Sequence, residues 1–103
     1  MQEKVKNFNK NKEYHKETMP AYARMLDIES EMGELAKEYL KSTSYGTKIF
    51  EVTEDFKEEF GDVVYAILSL AEELNISSEE CLDVALAKLK SRMERNKSMG
   101  SGR

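Results

Sequence analysis

Apolar residues recur at three- and four-residue intervals along most of this chain, with polar residues between them, which is the pattern of amphipathic helices. Tyr22, Met25, Ile28 or Glu29, Met32, Leu35 or Ala36, and Tyr39 form one such series. They predict a helix that starts at Thr18-Met19-Pro20, runs to about Lys41 and buries that stripe. Ser42-Thr43-Ser44-Tyr45-Gly46-Thr47 breaks the series, and a loop extends through Val52. Phe56, Phe60, Val63, Val64, Ile67, Leu68, Ala71 and Leu74 form a broader face. Thr53 is placed to cap that helix, Glu54 and Asp55 suit its positive end, and Asn75 stops it. This helix is expected to be the most buried.

Ser77-Ser78-Glu79-Glu80 reads as a capping box, and Leu82, Ala85 or Leu86, Leu89 and Met93 give the last helix a core stripe as far as about Asn96. At the other end, Val5, Phe8 and Tyr14 or His15 support a first helix over Gln2 to Glu17. The expected fold is all-α, a four-helix bundle in one domain over residues 1–97, with residues 98–103 a flexible tail without periodicity.

Composition narrows the function classes. At 103 residues, 40% hydrophobic and 35% charged, the chain is too short for a multidomain enzyme and has a heavily charged surface. Apolar runs such as Val63 to Leu68 fall far short of the roughly 20 residues of a membrane span, and no secretory apolar segment is expected. One Cys and one His exclude a disulfide framework and a Cys/His zinc site, and fit a cytoplasmic location. The net charge of −4, without a long basic block, makes nucleic acid an unexpected partner. A domain this small sustains a deep pocket poorly. Its central helix also carries two apolar faces, Phe56, Phe60 and Val64 on one and Val63, Ile67 and Leu70 on the other, so a homo-dimer or tetramer is expected.

The chemistry concentrates in a repeated pattern, Glu31-Met32-Gly33-Glu34-Leu35 and Glu59-Phe60-Gly61-Asp62-Val63. Carboxylates three apart share one helix face about 5–6 Å apart at Cβ, close enough to serve one cation or two adjacent ones. Converging carboxylates repel one another unless a divalent cation neutralises them, and all-oxygen ligation points to Mg²⁺ or Mn²⁺. A glycine inside a helix costs about 1 kcal/mol relative to alanine, so the two matched glycines suggest close helix approach or room for metal-bound water. The plainer alternative is that Asp27, Glu31, Glu34 and Glu38 form a solvated acidic face.

Glu31-x-x-Glu34, 24 intervening residues and Glu59-x-x-Asp62 resemble the metal-binding signature of the MazG-like nucleoside triphosphate pyrophosphohydrolases. The resemblance runs from about Met25 to Arg92 and includes Ser44-Tyr45-Gly46. Many members have two adjacent acids where this chain has Ser30-Glu31. The resemblance implies an all-α fold in dimers or tetramers, Mg²⁺ held by Glu31, Glu34, Glu59 and Asp62, and hydrolysis of an NTP or dNTP to the monophosphate and pyrophosphate, as in nucleotide housecleaning. A further carboxylate is needed to orient the attacking water, for which Glu38 and Glu58 are the candidates, with Glu38 equally readable as a surface residue. Lys88, Arg92 and Arg95 fall at i, i+4 and i+7, a basic stripe suited to phosphate oxygens. Related enzymes commonly have a Lys and an Arg near there, so Lys88 and Arg92 are the substrate-binding candidates. An Asn that many relatives have two residues before the Lys is Leu86 here.

Two other readings compete. Phosphoribosyl-ATP pyrophosphohydrolase shares the fold and the bond cleaved, but its usual extra acid is Ser30 here. A non-catalytic helical interaction module would keep the acids for stability or metal-linked assembly. His15, Cys81, Tyr45 and Lys48 carry no supporting motif, and the six methionines read as core filler.

Overall fold

The computed structural model describes residues 1–11 and 19–100, with side chains described outside 98–100. Four helices run in the order α1 (Gln2–Lys10), α2 (Ala21–Ser42), α3 (Glu54–Glu73) and α4 (Ser78–Gly100), and no described residue is in a strand. The fold is all-helical, as the periodicity predicts. The Thr18 start signal, His15 and the second half of the expected first helix lie outside the described residues. So do the last three residues of the expected tail, whereas α4 continues as far as Gly100.

α3 is the centre of the packing. Its start follows the expected capping: Thr53 Oγ1 accepts from the Phe56 N–H at 3.0 Å, with Glu54 and Asp55 in the first turn. Its end is a Schellman turn, in which the Ile76 N–H donates to Ala71 O and the Asn75 N–H to Glu72 O, with Asn75 at φ +55°. Among the described residues the buried apolar side chains are Val63, Ala66, Leu68 and Ala71, all of them on this helix. Burial on several sides makes α3 the most buried helix, because α2 covers one flank and α1 another.

The α1 flank is held by a polar chain that the apolar pattern does not reveal. Tyr65 Oη donates to Asn9 Oδ1 at 2.6 Å, Asn9 Nδ2 donates to the buried Ser69 Oγ at 3.2 Å, and Phe8 meets the Tyr65 ring edge-on at 5.8 Å. On the α2 flank, rings run from α2 through the loop into α3. Tyr39 stacks on Phe50 at 4.4 Å, Phe50 meets Phe56 at 5.0 Å, and Phe60 follows at 6.4 Å.

The turn between them is tightly specified. Ser44, Tyr45 and Gly46 all have positive φ, a conformation that favours glycine. Buried Thr43 holds it, donating through Oγ1 to Leu40 O and accepting from the Gly46 N–H at 3.1 Å.

Two expected core stripes are not core in this chain. On α2 the residues turned inward are Arg24, Asp27, Ile28, Glu31, Leu35 and Glu38, whereas Tyr22, Met25, Met32 and Tyr39 are exposed. Of the expected stripe, Ile28 and Leu35 turn inward; the inner face of α2 is otherwise polar and lies about a third of a turn from the rest of the series. On α4, Leu82, Leu86, Leu89 and Met93 are 46–71% exposed and only Ala85 is half-buried. Among the described residues α4 lies along none of the other helices, which leaves its stripe open. The radius of gyration of 18.0 Å reflects this, against about 13 Å for a compact chain of this length.

Candidate functional site

The pairing of α2 with α3 brings their acidic motifs together. Glu31 of α2 and Glu59 and Asp62 of α3 each offer a carboxylate oxygen, and these oxygens all lie within 4.8 Å of one another. Glu31 and Glu59 are half-buried and Asp62 is exposed. Glu34, one turn along α2, is exposed and lies outside that oxygen set, yet its charge acts on both Glu31 and Glu59. The helical spacing that predicted a shared face therefore brings three of the four expected ligands together and leaves the fourth beside them.

The electrostatics follow from this crowding. Partial burial, then the charges of Asp62, Asp27, Glu59 and Glu34, hold the Glu31 carboxyl above its ordinary value of 4.5. Partial burial, then Asp62, Glu34, Glu38 and Glu58, do the same for Glu59. The ion pair seen among the described residues joins Lys57 to Glu54 at 3.1 Å on the surface. The site gathers negative charge that no ion pair seen among the described residues balances.

The donor set is of the hard-oxygen type that a small divalent cation takes. Mg²⁺ holds its ligands at about 2.0–2.1 Å, which puts neighbouring ligand oxygens about 3 Å apart and opposite ones about 4 Å apart. The three carboxylate oxygens here lie within 4.8 Å of one another. The all-carboxylate donor set is the hard-oxygen type that suits Mg²⁺ or Mn²⁺.

The chain is 41% identical over 73 residues to the uncharacterized protein YpjD of Bacillus subtilis (strain 168), a match covering 68% of this chain and 64% of that protein. The chain thus spans a little under two thirds of the length of the curated relative it matches. No family profile matches the chain. No solved structure matches it significantly.

The matched glycines behave differently from expectation. Neither marks a close helix approach, since a Cβ at Gly33 or Gly61 would meet nothing within 4 Å. Nor does Gly33 make room beside the carboxylates: it follows Glu31 by two positions, about 200° around the helix, and so lies on the outer face of α2.

Lys88 and Arg92 are exposed on α4, which lays no face along α2, so the packing within one chain does not seat them on the acidic cluster. Glu58 is exposed, whereas Glu38 is half-buried on the same inner stripe of α2 as Glu31. Sequence reasoning undervalued that stripe. Asp27, Glu31, Glu34 and Glu38 are spaced four, three and four apart, as regular as any apolar series in the chain. Buried Arg24 was missed altogether; its guanidinium lies 5.9 Å from the centroid of the Tyr65 ring. Cys81 and Tyr45 are exposed.

Proposed function

We propose that this chain is a Mg²⁺-dependent nucleotide pyrophosphohydrolase that cleaves an NTP or dNTP to the monophosphate and pyrophosphate. One observation carries the reading: Glu31, Glu59 and Asp62, from two helices and two copies of one motif, bring carboxylate oxygens within 4.8 Å of one another. Glu31, Glu59 and Asp62 hold the metal in this reading, with Glu34 beside them as the fourth acid. A divalent cation bound there supplies charge neutralisation toward phosphate oxygens and acidifies a coordinated water. Glu38 is better placed than Glu58 to accept a proton from water in this reading, because it is half-buried on the face of α2 that carries Glu31, whereas Glu58 is exposed.

Lys88 and Arg92 remain the triphosphate-binding candidates, and α4 of a second copy in a homo-oligomer is the way to bring them to the acids. The 41% identity with YpjD supports a shared fold but assigns no chemistry, since that protein's name states none.

The decisive experiment incubates the full chain with Mg²⁺ and a panel of NTPs, dNTPs, modified nucleotides and phosphoribosyl-ATP, reading pyrophosphate and orthophosphate separately. Pyrophosphate release from nucleoside triphosphates supports the proposal. Turnover of phosphoribosyl-ATP alone would move the assignment to histidine biosynthesis. Orthophosphate alone would show that a different bond is cut, and no turnover of any member would favour the interaction module.

A further inference from the structure

The direction in which α4 leaves α3 is not explained by apolar packing. Among the described residues α4 lies along no other helix, and the four residues from Leu74 to Ser77 join it to α3. A groove of about 590 Å³ opens beside its first turns, lined by Met1, Glu3, Leu68, Glu72, Glu79 and Leu82. An element with so few buried apolar contacts takes its orientation from the polar contacts at its root.

One side chain spans that root. Gln2 of α1 donates from Nε2 to Glu72 Oε1 at 2.8 Å and to Ile76 O at 2.9 Å, and its Oε1 accepts from the Ser78 N–H at 2.8 Å. The three partners belong to the last turn of α3, the connection, and the first residue of α4. Ser77 Oγ accepts from the Glu80 N–H, so Gln2 supplies a second acceptor to the N–H groups that the start of α4 leaves without an intrahelical partner. A side-chain amide matches all three partners, because its two N–H donors meet two acceptors while its oxygen meets a donor. α1 presents this amide from a fixed place. Its other end is held on α3 by Asn9, bonded to Tyr65 and Ser69, about 10 Å along the helix axis from Gln2.

We propose that Gln2 is a positioning residue: its amide, carried by α1, sets the angle between α3 and α4 and through it the place of Lys88 and Arg92. The lever is long. Lys88 and Arg92 lie about 15 and 21 Å along α4 from Ser78, so a swing of about 20° moves them by about 5 and 7 Å, beyond the reach of a hydrogen bond to phosphate. That consequence rests on the reading of Lys88 and Arg92 as triphosphate-binding, whichever copy's acids they serve. The hold of Gln2 on the corner does not.

The corner is tested without nucleotide. Spin labels at Lys57→Cys on α3 and Glu94→Cys on α4, in a Cys81→Ser background of the full chain diluted with unlabelled chain, report the distance between the helices within one copy. The parent is expected to give one narrow distribution and Gln2→Ala one at least about twofold wider, with helicity unchanged by circular dichroism. Gln2→Glu is expected to widen it at least as much, since it sets a carboxylate against Glu72 and the Ile76 carbonyl. Glu72→Gln added to Gln2→Glu exchanges donor and acceptor at that contact and should narrow the distribution again. Equal widths in the parent and Gln2→Ala, or a double variant no narrower than Gln2→Glu, would overturn the positioning role.

Kinetics test the link to the phosphate-binding residues. With turnover of a triphosphate, Gln2→Ala is expected to raise KM at least about fivefold while kcat stays within about twofold, because the acids are untouched. A fall in kcat as large as the rise in KM, or an unchanged KM beside a widened distribution, would overturn that link. Absence of turnover in the parent would remove the proposed reaction, and the distance measurement would still decide the role of Gln2.

Discussion

α3 and α4 are neighbours in sequence, similar in length and both apolar on a helical period, yet one is the core and the other is surface. On α3, apolar side chains extend around more than one side, and α1 and α2 cover two flanks. On α4 the large apolar residues form one narrow stripe among mostly polar positions, so a single partner helix would satisfy it, and none of the described helices lies along it. Periodicity reports that a stripe wants cover. It does not report whether the cover comes from the same chain.

The largest effect separating the two helices is on stability. Leu68→Ala removes a side chain that is 95% buried and is expected to cost about 2–5 kcal/mol. Leu89→Ala, measured by urea unfolding at concentrations where the chain is dissociated, is expected to cost less than about 0.5 kcal/mol, as for an exposed position. Raising the concentration until copies associate should increase the Leu89 penalty and leave the Leu68 penalty unchanged. Equal penalties at high dilution would mean that α4 packs within its own chain.

Glu59→Gln tests the α2–α3 side of the comparison. Under the proposed reaction, loss of one ligand charge lowers kcat/KM for the best triphosphate at least about a hundredfold, equivalent to about 2.7 kcal/mol. The metal-free variant is expected to be no less stable than the parent, because the change relieves repulsion without changing shape. Parental turnover at saturating Mg²⁺ would remove Glu59 from the ligand set.

Gly33→Ala has a smaller effect and probes the outer face of α2. With no neighbour within 4 Å of the added methyl, helix propensity alone predicts stabilisation of about 0.5–1 kcal/mol. If the melting temperature rises but association or turnover falls, the glycine is kept for the close approach of another copy. A fall in stability would contradict the open space seen beside it.

The mildest test is pH. Glu31 and Glu59 are held above 4.5 in the folded state, so between 4.5 and their raised values the folded protein binds more protons than the unfolded chain. Their contribution is therefore most favourable at low pH and is lost as pH rises through that window. The metal-free protein is expected to gain melting temperature on acidification from pH 7 toward 5, less so in Glu59→Gln. Mg²⁺ at pH 7 should restore part of that gain by neutralising the same charges. A melting temperature that falls steadily on acidification, with no Mg²⁺ effect at pH 7, would show that the cluster is neither crowded nor a cation site.

The sequence by itself determined the helices and the acidic motifs, because both are local. Thr53 and Ser77 sit at their helix starts as expected, each accepting from the N–H three residues on, at 3.0 Å and 3.2 Å. The i, i+3 carboxylates share a face through helix geometry alone. What only the tertiary structure decided was which face of each helix turns inward. On α2 that face is the stripe of Glu31 and Glu38, not the one of Met25 and Met32, because the ring contacts from Tyr39 to Phe60 and the Thr43 turn set how α2 meets α3. The same packing gathered Glu31, Glu59 and Asp62 while leaving Glu34 at the edge, and it left the α4 stripe uncovered. These outcomes depend on contacts between residues distant in sequence, and a one-dimensional pattern of apolar and polar positions carries no record of which stripe meets which.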